Sequence, residues 1–188
     1  MEFSAVLQAR TSCRAFTADP VAPETVSAII EAGCAAPSPL NQQPWSFTVV
    51  TDPQRIAAVA AHSTAVRDRL AADSGQGWVA KYDPGFVGQA PVLIVVSANP
   101  KKIGLGAFLG DTAAHVKAAS ACIQNMLLAV ADRGLGSLWF TMYDRAELAG
   151  MLGIAEGLEI VGLLPVGVPA APSKQPPRKP VADLTTYL

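Results

Sequence analysis

The sequence is short of the parts that most enzymes use for their own chemistry. Only two of its 188 residues are histidine, His62 and His115, and only three are cysteine, Cys13, Cys34 and Cys122. The cysteines stand far apart with no Cys-x-x-Cys, so neither a zinc site nor a disulfide framework is expected. Buried, reduced thiols in a cytoplasmic protein are the simpler expectation. No nucleophile-base constellation and no motif of paired carboxylates can be assembled, which leaves hydrolysis without its parts. Charge is scarce as well: 15% of residues are charged, the net charge is −1, and the basic residues are scattered, which excludes an electrostatic footprint for nucleic acid. No apolar run approaches the ~18–20 residues of a membrane helix. The longest candidate, Ile160 to Ala171, is broken by Pro165, Gly167 and Pro169. Met1-Glu2-Phe3-Ser4 lacks a basic start and an apolar core, so no export signal is expected.

What the chain has in excess is apolar material, 51% of its residues. Either its interior is large for its size or apolar surface is hidden against a second copy, and an obligate homodimer explains this better than a membrane does. The length fits one domain covering residues 1–188.

Local signals divide the chain. A first helix is expected over Phe3–Ala9. A second starts at Pro23, where a first helical residue tolerates proline, carries Val26, Ile29, Ile30 and Gly33 at helical spacing, and stops before Pro37. Strands are expected at Ser46–Thr51, Val92–Ser97, Ser137–Thr141 and Leu158–Val168. Asp52-Pro53 opens a helix with Ile56, Val59 and Ala60 on one face. Between Ser63 and Gln89 the pattern weakens and reads as a short helix plus a surface lid or loop. Asp111–Arg133 is apolar around most of its circumference and should lie in the middle of the fold, ended by Gly134. Asp144-Arg145-Ala146-Glu147 has the capping-box arrangement that starts a further helix. Residues 172–180 form an extended Pro-rich arm. Strands separated by helices imply an α+β (α/β) sandwich.

Two segments carry chemistry. Arg10-Thr11-Ser12-Cys13-Arg14 packs two guanidiniums and two hydroxyls into five residues, which can surround a phosphate. Ala36-Pro37-Ser38-Pro39-Leu40-Asn41-Gln42-Gln43-Pro44-Trp45 cannot be regular helix or strand, yet displays donors and acceptors that suit a flat polar heterocycle. A third, Gly104-Leu105-Gly106-Ala107-Phe108-Leu109-Gly110, resembles a dinucleotide fingerprint only loosely. Its last spacing is too long and residues 99–103 part it from the strand, so it reads as a flexible loop bordering the substrate pocket.

In order and spacing, the first two segments resemble the openings of the FMN-dependent nitroreductase family, Arg-x-Ser-x-Arg followed by Ala-Pro-Ser-x-x-Asn-x-Gln-Pro-Trp. The likeness runs from Leu7 to about Leu184. It implies a mixed central sheet flanked by helices and an intertwined homodimer, in which an arm of about residues 172–188 reaches the partner's sheet. It implies FMN as cofactor, with Arg10, Thr11, Ser12 and Arg14 on the phosphate and Arg178 (or Lys179) closing over it. Thr11 stands where the family often has a second Arg. Pro37, Ser38, Asn41 and Gln43 would come from the other subunit to the ribityl chain and ring. In Gly134–Met142 a backbone N–H of Thr141 or Met142 would face flavin N5, with Trp139 and Phe140 alongside the ring; many relatives have Gly at the place of Met142. Trp45 is expected to pack in the core. Arg67, Arg69 and Lys81 are candidates for the N1/O2 partner.

The activity implied is that of an NAD(P)H oxidoreductase passing hydride in a ping-pong cycle to a small electron-poor acceptor such as a nitroaromatic or quinone. The alternatives are specialised flavin chemistry on the same fold, such as dehalogenation or dehydrogenation, and a flavin-binding or sensing protein with little turnover. The phosphate assignment predicts that Arg14→Ala weakens FMN retention far more than Cys13→Ala, as measured by flavin released on gel filtration. Equal retention would overturn it.

Overall fold

The computed structural model describes residues 1–188. Seven helices and four strands follow one another along it: α1 Phe3–Ala9, α2 Pro23–Cys34, β1 Trp45–Val50, α3 Pro53–Ser74, α4 Gly77–Lys81, β2 Val92–Ala98, α5 Gly106–Leu109, α6 Ala114–Asp132, β3 Gly136–Ser137, α7 Arg145–Leu152 and β4 Glu159–Gly167. The strands form one sheet in the order β1-β2-β4-β3, antiparallel throughout. Parallel pairing occurs only where Ser12 bridges Ser137 at the sheet's edge.

The pleat sends alternate residues of β2 to opposite faces. Val92, Ile94, Val96 and Ala98 join α2 and α6 in one core, with Ile29, Ile123 and Met126 fully buried there. Leu93 and Val95 face the other way, onto Ile56 and Val59 of α3, Phe86 and Val87, and Leu148 and Leu152 of α7. A sheet covered on both faces has strands without polar alternation, as β2 and most of β4 show. Trp45 belongs to the α2/α6 core at 8% exposure, where the sequence put it.

α6 is buried around most of its surface, which suits the middle position. Gly33 lies so close to it that a Cβ there would come within 2.6 Å of Met126 Cγ. No helix is long and apolar enough to cross a membrane.

Three expectations need correction. α3 does not stop near Ser63 but continues to Ser74 and ends on Gly75 in the left-handed conformation; α4 and a 3-10 turn over Pro84–Gln89 follow it. The third strand is only Gly136–Ser137, after which the chain leaves the sheet and returns through a single bridge, Phe140 to Leu163. The 104–110 loop contains the short helix α5.

The central place of β2 predicts that Ile94→Ala, at a fully buried site, costs about 2–5 kcal/mol in urea unfolding. Val49→Ala, on the edge strand and 42% exposed, should change stability by about 0.5 kcal/mol or less. Equal losses would contradict the two-faced core.

Candidate functional site

The N-terminal motif is extended chain laid against the sheet edge: the Cys13 N–H donates to the Ser137 carbonyl at 3.0 Å. Extended backbone alternates its side chains. Cys13 is therefore buried at 2% exposure, while Ser12 and Arg14 point outward and Arg10 is half-buried. No carboxylate or other acceptor in the chain engages the guanidiniums of Arg10, Arg14 or Arg178. This differs from the other sequence candidates. Arg67 donates to the Tyr82 carbonyl at 2.9 Å and pairs with Asp68, and Arg69 grips both oxygens of Glu147 at 3.2 and 3.3 Å. Both are held by partners in the chain, whereas Lys81 has none.

The bridge at Ser12 and Ser137 sets the Arg segment beside the stretch that follows β3. Trp139 packs against Gly162 of β4, its indole N–H donating to the Val161 carbonyl at 3.1 Å, and the side chain remains partly exposed. Phe140 is corrected: its ring is 2% exposed and meets Phe86 edge-on, centroids 5.7 Å apart, in the core on the α3 side. Its backbone exchanges both hydrogen bonds with Leu163, at 2.9 and 3.0 Å. Beyond it the Thr141 and Met142 N–H groups have no acceptor in the chain. Thr141 is exposed, and the Met142 side chain packs onto the core beneath. Two adjacent free amides at a sheet edge are what a ring nitrogen and carbonyl require.

The turn ends on Asp144, which caps α7 by accepting from the Glu147 N–H at 2.9 Å. That bond is the main reason its carboxyl sits below the usual carboxylate range. His62, missed in the sequence because it falls where the helical pattern fades, accepts from the Asp144 N–H at 3.1 Å.

The Pro37–Gln43 segment is a strained turn. Leu40, Asn41 and Gln43 all have positive φ, at 50°, 52° and 44°, which costs a non-glycine residue of the order of 1–3 kcal/mol and clusters at functional sites. Its polar groups partly hold the turn itself. Ser38 Oγ accepts from the Gln43 N–H at 2.9 Å, and Gln43 Nε2 donates to Asn41 Oδ1 at 3.2 Å. Asn41 Nδ2 and the Ser38 hydroxyl proton remain unused. The 104–110 segment docks here, its Gly104 N–H donating to Gln42 Oε1 at 2.8 Å, with Leu105, Phe108 and Leu109 exposed.

Within one chain the two motifs are apart. A cavity of about 530 Å³ beside Arg10, Thr11 and Gly134–Ser137 is walled by Leu127, Val130 and Ala131, near the end of α6. One of about 310 Å³ at Pro37 and Ser38 is walled by Ala114, Lys117 and Ala118, near its start. The helix from Lys117 to Val130 spans about 20 Å. The C-terminal segment stays near the first cavity: Gln175 Nε2 donates to the Leu7 carbonyl at 3.0 Å and to that of Arg10 at 3.3 Å, three residues before Arg178.

The sequence and the fold both have known relatives. The profile of the nitroreductase family matches residues 7–168. A protein of Archaeoglobus fulgidus described as an NADH dehydrogenase/NAD(P)H nitroreductase is 30% identical over 168 residues, covering 87% of this chain and 83% of its own. The 5,6-dimethylbenzimidazole synthase of Rhodospirillum rubrum is 28% identical over 88% of this chain and 81% of its own. In structure, an iodotyrosine deiodinase bound to FMN and 3-iodo-L-tyrosine superposes with a TM-score of 0.84 at 21% identity, over 98% of this chain and all of that one. The chain belongs to the nitroreductase family.

The seat of Trp139 predicts that Gly162→Ala drives the indole off Val161, exposing its N–H to hydrogen exchange and destabilising the protein by about 1–3 kcal/mol. Gly150→Ala, which meets nothing within 4 Å, serves as control and should leave the Trp139 signal unmoved. An unmoved indole in both would refute the contact.

Proposed function

We propose that the chain is an FMN-dependent oxidoreductase that uses NAD(P)H to reduce small electron-poor acceptors such as nitroaromatics or quinones, working as a homodimer with its flavins between subunits. One observation carries this reading: unpaired guanidiniums and free backbone amides are joined by a single hydrogen-bonded bridge, one set suited to a phosphate and the other to a ring edge. The residues fit the cofactor in charge as well. Arg10, Arg14 and Arg178 balance a monophosphate of nearly two negative charges, and the outward Ser12 hydroxyl adds a donor.

When bound, FMN supplies the two-electron carrier that takes hydride from NAD(P)H and passes it to the acceptor. The protein's work is positional. Arg10, Ser12 and Arg14 hold the phosphate, with Arg178 arriving from the C-terminal segment beside α1. Trp139, braced on Gly162, offers a flat apolar face. The Thr141 and Met142 N–H groups would face the ring edge, one or the other of them toward N5, so that charge arising there would meet fixed dipoles.

The separation along α6 supports the dimer. Pro37, Ser38, Asn41 and Gln43 reach the same ligand as Arg10 only if another copy brings them. A two-fold axis across α6 places the start of one helix beside the end of the other. The stripe Lys117, Ala121, Gln124 and Leu128, exposed or half-buried in the single chain, is the surface available for this pairing.

The test is spectroscopic. Purified protein should carry bands near ~450 nm that NADH or NADPH bleaches and a nitroaromatic or quinone restores, as expected of bound flavin. Colour that no reduced nicotinamide removes would mark a flavin-binding protein instead. Reoxidation by halogenated phenols and not by nitro compounds would move the reading to dehalogenation.

A further inference from the structure

His62 belongs to no metal cluster, for no three His, Cys, Asp or Glu side chains converge anywhere in the chain. Yet both its ring nitrogens are committed. The side chain is 6% exposed, between α3 and α7. Nε2 accepts from the Asp144 N–H at 3.1 Å and so carries the lone pair; Nδ1 lies 3.2 Å from Glu147 Oε2 and so carries the proton. Glu147 is in turn fixed by the fork of Arg69.

We infer that His62 is a positioning residue for the Thr141–Met142 amides, acting through the Asp144 backbone and only as the neutral ring. The inference rests on the flavin reading above. Phe140 is pinned to Leu163 at one end of the turn and Asp144 to His62 at the other. Between the pins a single backbone bond, Tyr143 N–H to the Thr141 carbonyl at 3.1 Å, shapes the chain. The aim of the two free amides therefore depends on both ends being held.

Protonation at Nε2 sets an N–H against an N–H and removes the acceptor at one end. Glu147, Asp144 and Arg69 are the charged side chains at this ring. None of the three replaces Nε2 as acceptor for the Asp144 amide while Asp144 caps α7. The turn is therefore held while the ring is neutral and released once Nε2 carries a proton.

The experiment compares unmodified protein, His62→Gln and His62→Leu. Gln keeps an acceptor near the place of Nε2 but does not titrate; Leu keeps bulk alone. The first readout is NMR hydrogen exchange of the Asp144 amide from pH 5 to 8, corrected for intrinsic rates. Unmodified protein should lose about tenfold or more of its protection on acidification. His62→Gln should stay protected throughout, and His62→Leu unprotected throughout. The second readout is the midpoint potential of bound FMN, which should shift from the parent's in His62→Leu at pH 8 and match it in His62→Gln. Protection independent of pH in the parent, or a potential shared by all three, would overturn the inference. Should His62→Leu fail to fold, the His62→Gln pH course decides alone. Failure of the unmodified protein to hold FMN would count against the flavin reading, whereas the amide readout needs no flavin and still judges the latch.

Discussion

The structure turns on one backbone hydrogen bond, from the Cys13 N–H to the Ser137 carbonyl. Ser137 stands between two neighbours, paired with Val166 on one side and bridged to Ser12 on the other. The N-terminal segment thereby closes part of an edge that would otherwise offer unpaired groups to other chains. The closure is tight, because a Cβ at Gly136 would come within 2.6 Å of Cys13 Sγ. Cys13 is thus a packing residue, and its burial turns Ser12 and Arg14 outward. This registration, with the backbone bonds from Thr17 to Val168 and from Ala170 to Ala15, lays the Arg segment along the strand that leads to the free amides of Thr141 and Met142.

The two faces of the sheet then divide the work. On the α2/α6 side Trp139 packs against Gly162, and α6 lies between the cavities at the Arg and Pro-Asn motifs, setting how far apart they are. On the α3/α7 side Phe140, Phe86 and Tyr143 form an aromatic underlay. His62, Arg69, Glu147 and Asp144 tie the far end of the amide-bearing turn to two helices. The positive φ at Leu40, Asn41 and Gln43 stores strain at the other motif. Such strain persists where surrounding structure holds it, and Gln42 on the Gly104 amide is part of that hold.

Features encoded locally could be read from the sequence. Phe3–Ala9, the Pro23 start and the Asp144 cap depend on neighbours within a few residues, and each has its own chemical signature. α3 was underread because its inward stripe passes from Ile56 and Val59 to Ser63, which is fully buried yet polar, before reaching Val66. Hydrophobic periodicity does not register a buried serine. Phe140 was misjudged because β3 ends after two residues, so alternation could not be carried forward to tell which side its ring takes. Arg67 and Arg69 are spent on partners as far as 78 residues away in the chain, and His62 on one 82 residues away. Only the folded chain brings these together.

The central claim is that the outward guanidiniums recognise a phosphate at the end of a flavin. The most direct measurement is the dissociation constant of the apoprotein for FMN against that for riboflavin, which has the same ring and ribityl chain without the phosphate. Charge-assisted contacts from two or three arginines should favour FMN by about a hundredfold or more. Equal affinity for the two would contradict the account.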